Sequence, residues 1–345
     1  MPSCVLLLLA LGLAGAAVAQ LDSDQQKCLN TLNKDAAKLA AAQGKENVAC
    51  LKKATGGKLP SGQTADACLL ADDKGKIAAL QTRITTDDSD LCTATPPTFG
   101  LPSGTVAAIY GGVPRDQSLS LLDDLFGASL TTAAIDCDAD QDACGCQNAV
   151  AKAYEKLAAT KFKTFLKCKK GVLKDGATSG AAIENCVDDG GTVGSIAADS
   201  KDKISKRVGK LTDAITMKCT GVSTAVALPG ACAGRTGAAL ATCIDERVEC
   251  RVCLTINLVD DVAVDCDQFD DGQLNLSCPR ESFSLKSPAE AADTPGTAGL
   301  TAAAYPKLVT QFGTSDVNLN NANFTRFRLS ATETRPDAIL ILVPG

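Results

Sequence analysis

Two groups of closely spaced aspartates have the residue type and spacing that could bind a metal ion. They are Asp136, Asp138, Asp140 and Asp142 in DCDADQD, and Asp265, Asp267, Asp270 and Asp271 in DCDQFDDG. Alternating carboxylates before a glycine are typical of an oxygen-ligand Ca²⁺ loop. Both groups lack the full EF-hand pattern, which has a Gly at position six and a Glu at position twelve. We therefore interpret each group as a solvated acidic turn tied by a disulfide, and keep only the second as a Ca²⁺ candidate.

Cys250-Arg-Val-Cys253 has the CxxC spacing of redox-active and metal-binding sites. A redox motif needs a helix N-terminus, where the dipole lowers the pKa of the first thiol, but this motif lies inside a helical pattern. A zinc site would need a second CxxC pair, and the sequence offers only Cys144-Gly-Cys146. The cysteines of both motifs are predicted to be halves of disulfides.

The sequence contains no histidine. A Ser-His-Asp or Cys-His catalytic site, a His-ligated zinc or copper site and a CxxCH haem attachment therefore cannot be completed within this chain. No carboxylate pair and no serine or threonine shows a diagnostic arrangement. We assign no catalytic or cofactor-binding residue and expect no cofactor.

The first nineteen residues have the features of an export signal. An apolar run from Val5 to Val18 ends in Ala17-Val18-Ala19, the small-x-small pattern of a signal-peptidase site. Removing residues 1–19 removes only Cys4 and leaves sixteen of the seventeen cysteines, the even number that complete pairing requires. The sequence therefore predicts a secreted or periplasmic protein with no membrane span after signal removal.

Composition and charge limit the partners. The net charge is −6 and no basic cluster stands out, which argues against nucleic acid and anionic membrane surfaces. Aromatic residues make up 3% of the chain and tryptophan is missing, so alanine must supply much of the packing and disulfides can contribute stability. We expect an extracellular or envelope partner.

A shift of 118 positions superimposes one part of the chain on another. It places Cys28 on Cys146, Cys50 on Cys168 and Cys68 on Cys186, and KLAA at 38–41 on KLAA at 156–159. Three cysteines in register do not arise from helical composition alone, so the sequence predicts an internal duplication. The lysines of the first unit alternate with acids and are interpreted as a solvated helix face; they are Lys34, Lys38, Lys45, Lys52 and Lys53.

Each unit is predicted to be a helical hairpin. Leu29, Leu32, Ala36 and Leu39 follow one face of a helix, as do Val150, Tyr154, Leu157 and Phe165 in the second unit. A helix of 22 residues separates Cys28 from Cys50 by roughly 33 Å, far beyond the reach of a disulfide. An antiparallel return helix would instead join Cys50 to Cys68 at the turn and Cys28 to Cys92 at the open end.

The second unit is predicted to pair Cys168 with Cys186 and Cys146 with Cys219. Its return arm is longer, and the glycines after Asp188 are expected to break it, with a helix restarting near Ile196. Eight other cysteines allow 105 connectivities, and the sequence does not choose among them. They are Cys137, Cys144, Cys232, Cys243, Cys250, Cys253, Cys266 and Cys278.

These patterns predict a mainly α protein with a short β region at its C-terminus. The expected segments are a signal (1–19), hairpin repeat 1 (20–95), a connector with one helix (96–136), hairpin repeat 2 (137–220), a cysteine-rich helical segment (221–278), a linker (279–304) and a β region (305–345) that could belong to a truncated domain. FTRFRLSATE alternates apolar and polar residues, and AILILV is a continuous apolar run, so both are predicted strands.

Two parts of the chain resemble known proteins. RPDAILILVPG resembles the strand that precedes the oxyanion-hole loop of α/β-hydrolases, and FTRFRLSATE would suit an early strand of that fold. The resemblance implies that the nucleophile, acid and histidine of an esterase or lipase would lie beyond residue 345. LPGAC, CRVCL and DCDQFDDG are similar to uncharacterised exported bacterial cysteine-rich proteins.

Two functions follow as hypotheses. The first is a non-enzymatic binding or structural role outside the cytoplasm. The second is the N-terminal part of a secreted α/β-hydrolase. A GxSxG motif encoded after codon 345, followed by Asp and His, would distinguish the second from the first.

Overall fold

The computed structural model describes residues 20–102 and 105–278 together with two short strands near the C-terminus. This part of the chain is mainly helical, as the sequence predicts. Its helices are α1 (Ser23–Thr55), α2 (Ala65–Ala71), α3 (Lys76–Leu91), α4 (Val106–Phe126), α5 (Leu130–Ala133), α6 (Gln141–Lys174), α7 (Ala181–Glu184), α8 (Lys203–Lys218), α9 (Thr224–Ala227), α10 (Gly237–Asp260) and α11 (Cys266–Asp271). The strands β1 (Asn323–Phe324) and β2 (Leu342–Val343) pair in antiparallel directions.

Two long helices, α1 and α6, form the centre of the fold. Each begins after an aspartate: the Asp22 carboxylate accepts hydrogen bonds from the amides of Asp24 and Gln25, and the Asp140 carboxylate accepts one from Ala143. Such caps satisfy amides that have no partner inside the helix. The apolar stripes predicted for the two helices are buried; they comprise Leu29, Leu32, Ala36 and Leu39, and Val150, Tyr154, Leu157 and Phe165.

The return arm of the first hairpin consists of two helices, and the prediction of one helix there is wrong. Asp72 after α2 and Gly75 before α3 both lie in the left-handed region, with φ of 43° and 61°. The Asp72 carboxylate accepts hydrogen bonds from the amides of Ile77 and Ala78. This side chain therefore caps α3 and fixes the break between the two helices.

The return helix of the second hairpin begins later than predicted. α8 starts at Lys203, whereas a helix restarting near Ile196 was expected. The Ile196 amide instead donates to the Cys186 carbonyl, so the chain folds back in a loop. Asp199, with φ of 37°, then accepts hydrogen bonds from the first amides of α8 and sets its start.

The two breaks share a sequence signal. DDKGKI at 72–77 and DSKDKI at 199–204 carry an aspartate, two lysines and an isoleucine at the same spacing. The same number of residues separates each aspartate from the cysteine at the open end, Cys92 or Cys219. The shift between these stretches is 127 rather than 118, because the second hairpin has a longer loop. A gapped comparison of the two units is needed to find this signal.

Disulfides close both ends of both hairpins. The Cα atoms of the paired cysteines lie 4.8 to 5.7 Å apart, within the range that a disulfide needs. The bonds are Cys28–Cys92, Cys50–Cys68, Cys146–Cys219 and Cys168–Cys186. These are the four pairs that the helix-length argument gives.

α1 and α6 pack against each other in antiparallel directions. Asn33 near the start of α1 contacts Lys169 near the end of α6, and Thr55 at the end of α1 contacts Asn148 near the start of α6. These two contacts place residue 42 of α1 opposite about residue 160 of α6. Residues 42 and 160 also correspond to each other in the sequence comparison, because the shift between the two units is 118. The long helices are therefore related by an approximate twofold axis through their crossing, like the two copies in a symmetric dimer.

A third helix completes each unit. α4 packs on α1 and α3, α10 packs on α6 and α8, and α4 and α10 contact each other. α4 lies within the predicted connector, yet it contributes to the core through the buried side chains of Tyr110, Leu121, Leu122 and Leu125. α4 and α10 thus occupy corresponding places beside the two long helices.

The remaining disulfides tie the turns around α6 and α10. They are Cys137–Cys144, Cys232–Cys243, Cys250–Cys278 and Cys253–Cys266. Each cysteine of the CxxC motif, Cys250 and Cys253, is bonded to a cysteine that lies beyond the end of α10. All sixteen cysteines of the described residues are therefore paired.

Several predictions fall outside the described residues. They concern the signal at 1–19, the linker at 279–304 and most of the β region, where the register joins Asn323 to Val343 and Phe324 to Leu342. The hydrolase resemblance therefore stays a prediction. Within residues 20–102 and 105–278, no helix combines the length and apolarity that crossing a membrane would require.

Candidate functional site

A cleft of about 50 Å³ lies where α1, α4, α6 and α10 meet, beside the crossing of the two long helices. Alanines line much of it; they are Ala37, Ala40, Ala41, Ala158 and Ala159. Four of them belong to the KLAA sequence that the two units share, so the approximate twofold axis brings the same short side chains together from both hairpins. These side chains allow the helices to approach closely and leave space that larger residues would fill.

Gly44 sets the packing at one edge of the cleft. A Cβ atom at this position would lie 2.9 Å from Cγ of Glu155 on α6. The side chain of Glu155 therefore packs against α1 at Gly44, where α1 has no side chain. Glycine inside a helix costs roughly 1 kcal/mol relative to alanine, and here it permits the contact between α1 and α6.

Tyr154 is a buried tyrosine among the residues that line the cleft. Its side chain is 1% exposed and lines the cleft, and its hydroxyl has no hydrogen-bond partner among the described protein residues. Burial raises the pKa of Tyr154 well above its usual value, so the phenol keeps its proton and can donate. Buried hydroxyls usually have a partner, which makes this one unusual.

Tyr110 on α4 is a matched comparison within the same fold. It is also fully buried, and its hydroxyl accepts a hydrogen bond of 3.3 Å from Nδ2 of Asn33. The two tyrosines therefore differ in whether the protein satisfies the hydroxyl.

We expect Tyr154→Phe to raise the free energy of unfolding by about 1–2 kcal/mol, because it removes a buried hydroxyl that has no protein partner. Tyr110→Phe should lower it by about 1 kcal/mol, because Asn33 loses its acceptor. Urea unfolding of both variants with their disulfides intact measures the two changes. Changes of the same sign would contradict this assignment of the hydroxyls.

Arg251, which lines the cleft, forms an ion pair and a hydrogen bond with other side chains of the protein. Nε and Nη2 of Arg251 lie 2.7 and 2.8 Å from the two carboxylate oxygens of Asp124, a bidentate pair that joins α10 to α4. Nη1 of Arg251 also donates to Oε1 of Gln117 at 3.3 Å. Burial raises the pKa of Glu155, while the nearby charges of Lys45 and Lys156 lower it. The charge of Arg251 is thus paired with that of Asp124, and Glu155 lies near the positive charges of Lys45 and Lys156.

No protein-family model, no curated protein and no solved structure matches this chain.

A buried lysine joins α6 to α10 near the cleft. Nζ of Lys161 lies 2.7 Å from Asp245 and 2.5 Å from Glu249. Burial raises the pKa of Glu249 to about 7, against the opposing charge of Lys161 and with a contribution from Asp245. Burial, with the like charge of Asp245, therefore explains why Glu249 ionises late although Lys161 faces it.

Because of Glu249, we expect the free energy of unfolding to fall as the pH rises from about 4.5 to about 7. The folded protein binds this proton more tightly than the unfolded chain, whose pKa lies near the ordinary value, so stability is lost as the group ionises. The loss should be about 1–3 kcal/mol. Urea unfolding between about pH 4.5 and pH 8 measures it.

Glu249→Gln is the control for this pH dependence and should flatten the curve in the same window. Asp270, whose pKa burial raises to about 6, adds a slope of the same sign that remains in the variant. An unchanged curve in Glu249→Gln would contradict the assignment.

A second buried lysine lies farther along α6. Lys169 donates to the Asp260 carboxylate of α10 and to Oδ1 of Asn33 on α1, and Asn33 donates to Tyr110 on α4. All four side chains are buried. This network joins four helices, and burial lowers the pKa of Lys169 while it raises that of Asp260.

The sequence interpretation missed both lysines. In the apolar stripe of α6, eight residues separate Leu157 from Phe165. Lys161 lies four residues from each and therefore on the same face of the helix. A lysine at a core position of an amphipathic helix was the available signal. Its partners on α10 were not identifiable, because nothing in the sequence places α10 beside α6.

The aspartates proposed as Ca²⁺ candidates hold a turn. Asp265 caps α11 and Asp271 accepts a hydrogen bond from Gln273, while Asp267 accepts from the amides of Leu276 and Cys278. Asp270 accepts from the Ser277 hydroxyl. Asp267 and Asp270 are each 4% exposed, so the expectation of a solvated turn is wrong for these two. Through these hydrogen bonds the two carboxylates stabilise the loop that the Cys250–Cys278 disulfide closes.

In the first acidic group, at 136–142, Asp136 and Asp140 also bond to backbone amides close to them in sequence. The Asp136 carboxylate accepts a hydrogen bond from the Asp138 amide, and Asp140 caps α6. The Cys137–Cys144 disulfide closes this turn. This is the disulfide-tied acidic turn that the sequence predicts.

Proposed function

We propose that this chain is an exported, disulfide-cross-linked helical module that acts by non-covalent binding outside the cytoplasm. The observation that carries the proposal is the pairing of all sixteen cysteines in the described residues. Such disulfides persist in oxidising compartments and are rare where glutathione and thioredoxin keep thiols reduced.

The position of the disulfides favours binding. The bonds close both ends of the two hairpins, so each of the long helices beside the cleft, α1 and α6, is held to its own return arm. A hairpin closed in this way keeps its shape without a ligand, and preorganisation of this kind improves affinity.

Residues 1–19 support export through their apolar run and the Ala17-Val18-Ala19 pattern. The proposal also takes the two hairpins as products of an internal duplication, supported by the shared KLAA sequence and the shared signals at Asp72 and Asp199. In this view the binding cleft formed between two copies of one ancestral unit.

The experiment for export uses residues 1–30 fused to alkaline phosphatase, which is active only when its own disulfides form outside the cytoplasm. We expect activity, and loss of activity when residues 5–18 are deleted. The full chain purified from outside the cytoplasm should begin at Gln20 and react with a thiol reagent only after reduction. A cytoplasmic, thiol-reactive protein would contradict the proposal.

A further inference from the structure

We propose that an exposed group of lysines on the second hairpin binds a linear acidic polysaccharide outside the cytoplasm. We call this group the lysine surface, and it is separate from the cleft. Its members are Lys163, Lys167, Lys170 and Lys174 on α6, and Lys201 and Lys203 at or just before the start of α8. The choice of a polysaccharide rests on the export proposed above, whereas the surface itself rests on the packing of α8 against α6.

The four lysines of α6 lie on one face of the helix. Intervals of four, three and four residues separate them, which places them in a single row roughly 16 Å long. All four are exposed, whereas Lys161 and Lys169 are buried on the other side of α6. A row of this kind can contact anionic groups that are spaced along an extended chain.

The packing of the hairpin adds lysines of the return arm to this row. The open-end disulfide joins the start of α6 to the end of α8, so the two packed helices are antiparallel and the start of α8 lies beside the later half of α6. The pKa of Lys167 is lowered by its side-chain contact with Lys203, by the charge of Lys203 and by the charges of Lys163 and Lys201. Positive groups from both arms therefore come together. The sequence interpretation found no basic cluster because these lysines are divided between two segments.

The protein does not neutralise these charges. No member of the lysine surface forms an ion pair with a carboxylate of residues 20–102 and 105–278, whereas the buried Lys161 and Lys169 both do. Asp199, in the loop before α8, accepts hydrogen bonds from backbone amides and from the Ser205 hydroxyl. Like charges held together without a counter-charge are unfavourable, so an anionic ligand would relieve their repulsion.

The first hairpin lacks the row. Under the shift of 118 the four lysine positions of α6 correspond to positions 45, 49, 52 and 56, where Ala49 and Gly56 replace two of the lysines. The row therefore belongs to the second unit and is not explained by the composition that the two units share. It also lies on a chain whose net charge is −6, so the positive potential is confined to this surface.

The chemistry of the surface favours a polysaccharide over a membrane or a nucleic acid. Residues 161–174 and 201–210 expose no large apolar or aromatic side chain. Helices that bind membrane surfaces insert such side chains among the lipids, and single-stranded nucleic acids stack their bases on aromatic ones. A polysaccharide that carries carboxylate or sulfate groups needs only positive charges and hydrogen-bond donors, and lysine ammonium groups supply both.

The experiment uses the full disulfide-bonded chain, with a heparin dodecasaccharide as the acidic probe and a maltodextrin of similar length as the neutral one. Isothermal titration calorimetry at low salt should show saturable binding of heparin and none of maltodextrin. The heparin affinity should fall by about tenfold or more between about 50 and about 200 mM salt, because contacts between charges are screened and release counterions.

Two triple variants test the contribution of the lysine surface. Lys163→Gln/Lys167→Gln/Lys203→Gln should bind heparin about tenfold more weakly than wild type, because three exposed charge contacts are lost. Lys163→Arg/Lys167→Arg/Lys203→Arg keeps the charges and should bind heparin at least as tightly as wild type. Circular dichroism and the thiol content check that both variants are folded with their disulfides intact.

The matched control removes the same charge from the first hairpin. Lys45→Gln/Lys74→Gln/Lys76→Gln changes three exposed lysines and should weaken heparin binding by no more than about twofold, because only long-range attraction is reduced. Equal losses in the two glutamine variants would overturn the proposal, as would the absence of saturable heparin binding to folded wild type. Tighter binding of oligothymidylate or of phosphatidylglycerol vesicles than of heparin would also overturn it. None of these results affects the export and thiol measurements, so the broader function is tested separately.

Discussion

Replacing Lys169 with methionine is expected to lower the free energy of unfolding by about 3–5 kcal/mol. The substitution leaves the Asp260 carboxylate buried without its counter-charge and removes the donor to Asn33. Breaking a buried ion pair by removing one partner costs about this much, because the remaining charge stays desolvated. Urea unfolding at neutral pH measures the change.

Two controls separate this effect from a general loss of packing. Lys170→Met changes an exposed neighbour on the same helix and should alter stability by no more than about 0.5 kcal/mol. The double variant Lys169→Met/Asp260→Leu removes both charges and should recover most of the loss. A double variant less stable than Lys169→Met would show that the network stabilises the fold by another route.

Removing the open-end disulfides should also have a large effect. We expect Cys28→Ala/Cys92→Ala to lose about 4 kcal/mol, because this bond closes a loop with a sequence separation of 64. The turn disulfide Cys50–Cys68 closes a separation of only 18, and its removal should cost about 3 kcal/mol.

The second hairpin repeats this comparison and serves as its internal control. Cys146–Cys219 and Cys168–Cys186 have separations of 73 and 18, so the same order of losses is expected. Guanidinium unfolding of the four double variants gives the values. A greater loss from the turn bonds in both hairpins would mean that native contacts, and not loop closure, determine what each bond contributes.

The hairpins could be predicted from the sequence because their signals are local. The rise of an α-helix converts the spacing of Cys28 and Cys50 into a length, and a disulfide has a short reach, so only partners on a returning arm remain. The break at Asp72 was missed, and the start of α8 after Asp199 was predicted too early, for a different reason. In both arms an aspartate side chain caps the following helix and sets its start, and near Asp72 only one glycine, Gly75, marks the turn.

The candidate site could not be predicted, because it depends on contacts between distant segments. The cleft forms only when the alanines at 40–41 meet those at 158–159 across an antiparallel crossing. The same holds for Tyr154, which sequence periodicity placed correctly in the core but could not identify as unsatisfied. The eight cysteines left unassigned fall in two groups, at 137–144 and 232–278, and no two of them mark the opposite ends of a predicted helix, so helix length does not restrict their partners.

The most direct test of the two-hairpin architecture is tryptic peptide mapping without reduction. Cleavage after lysine and arginine places Cys28, Cys50, Cys68 and Cys92 on four separate peptides, at 28–34, 46–52, 59–74 and 84–115. The structure predicts that 28–34 is recovered bonded to 84–115 and that 46–52 is recovered bonded to 59–74. Recovery of 28–34 bonded to 46–52 would contradict it, because the two ends of α1 would then have to meet and the crossing that forms the cleft could not exist.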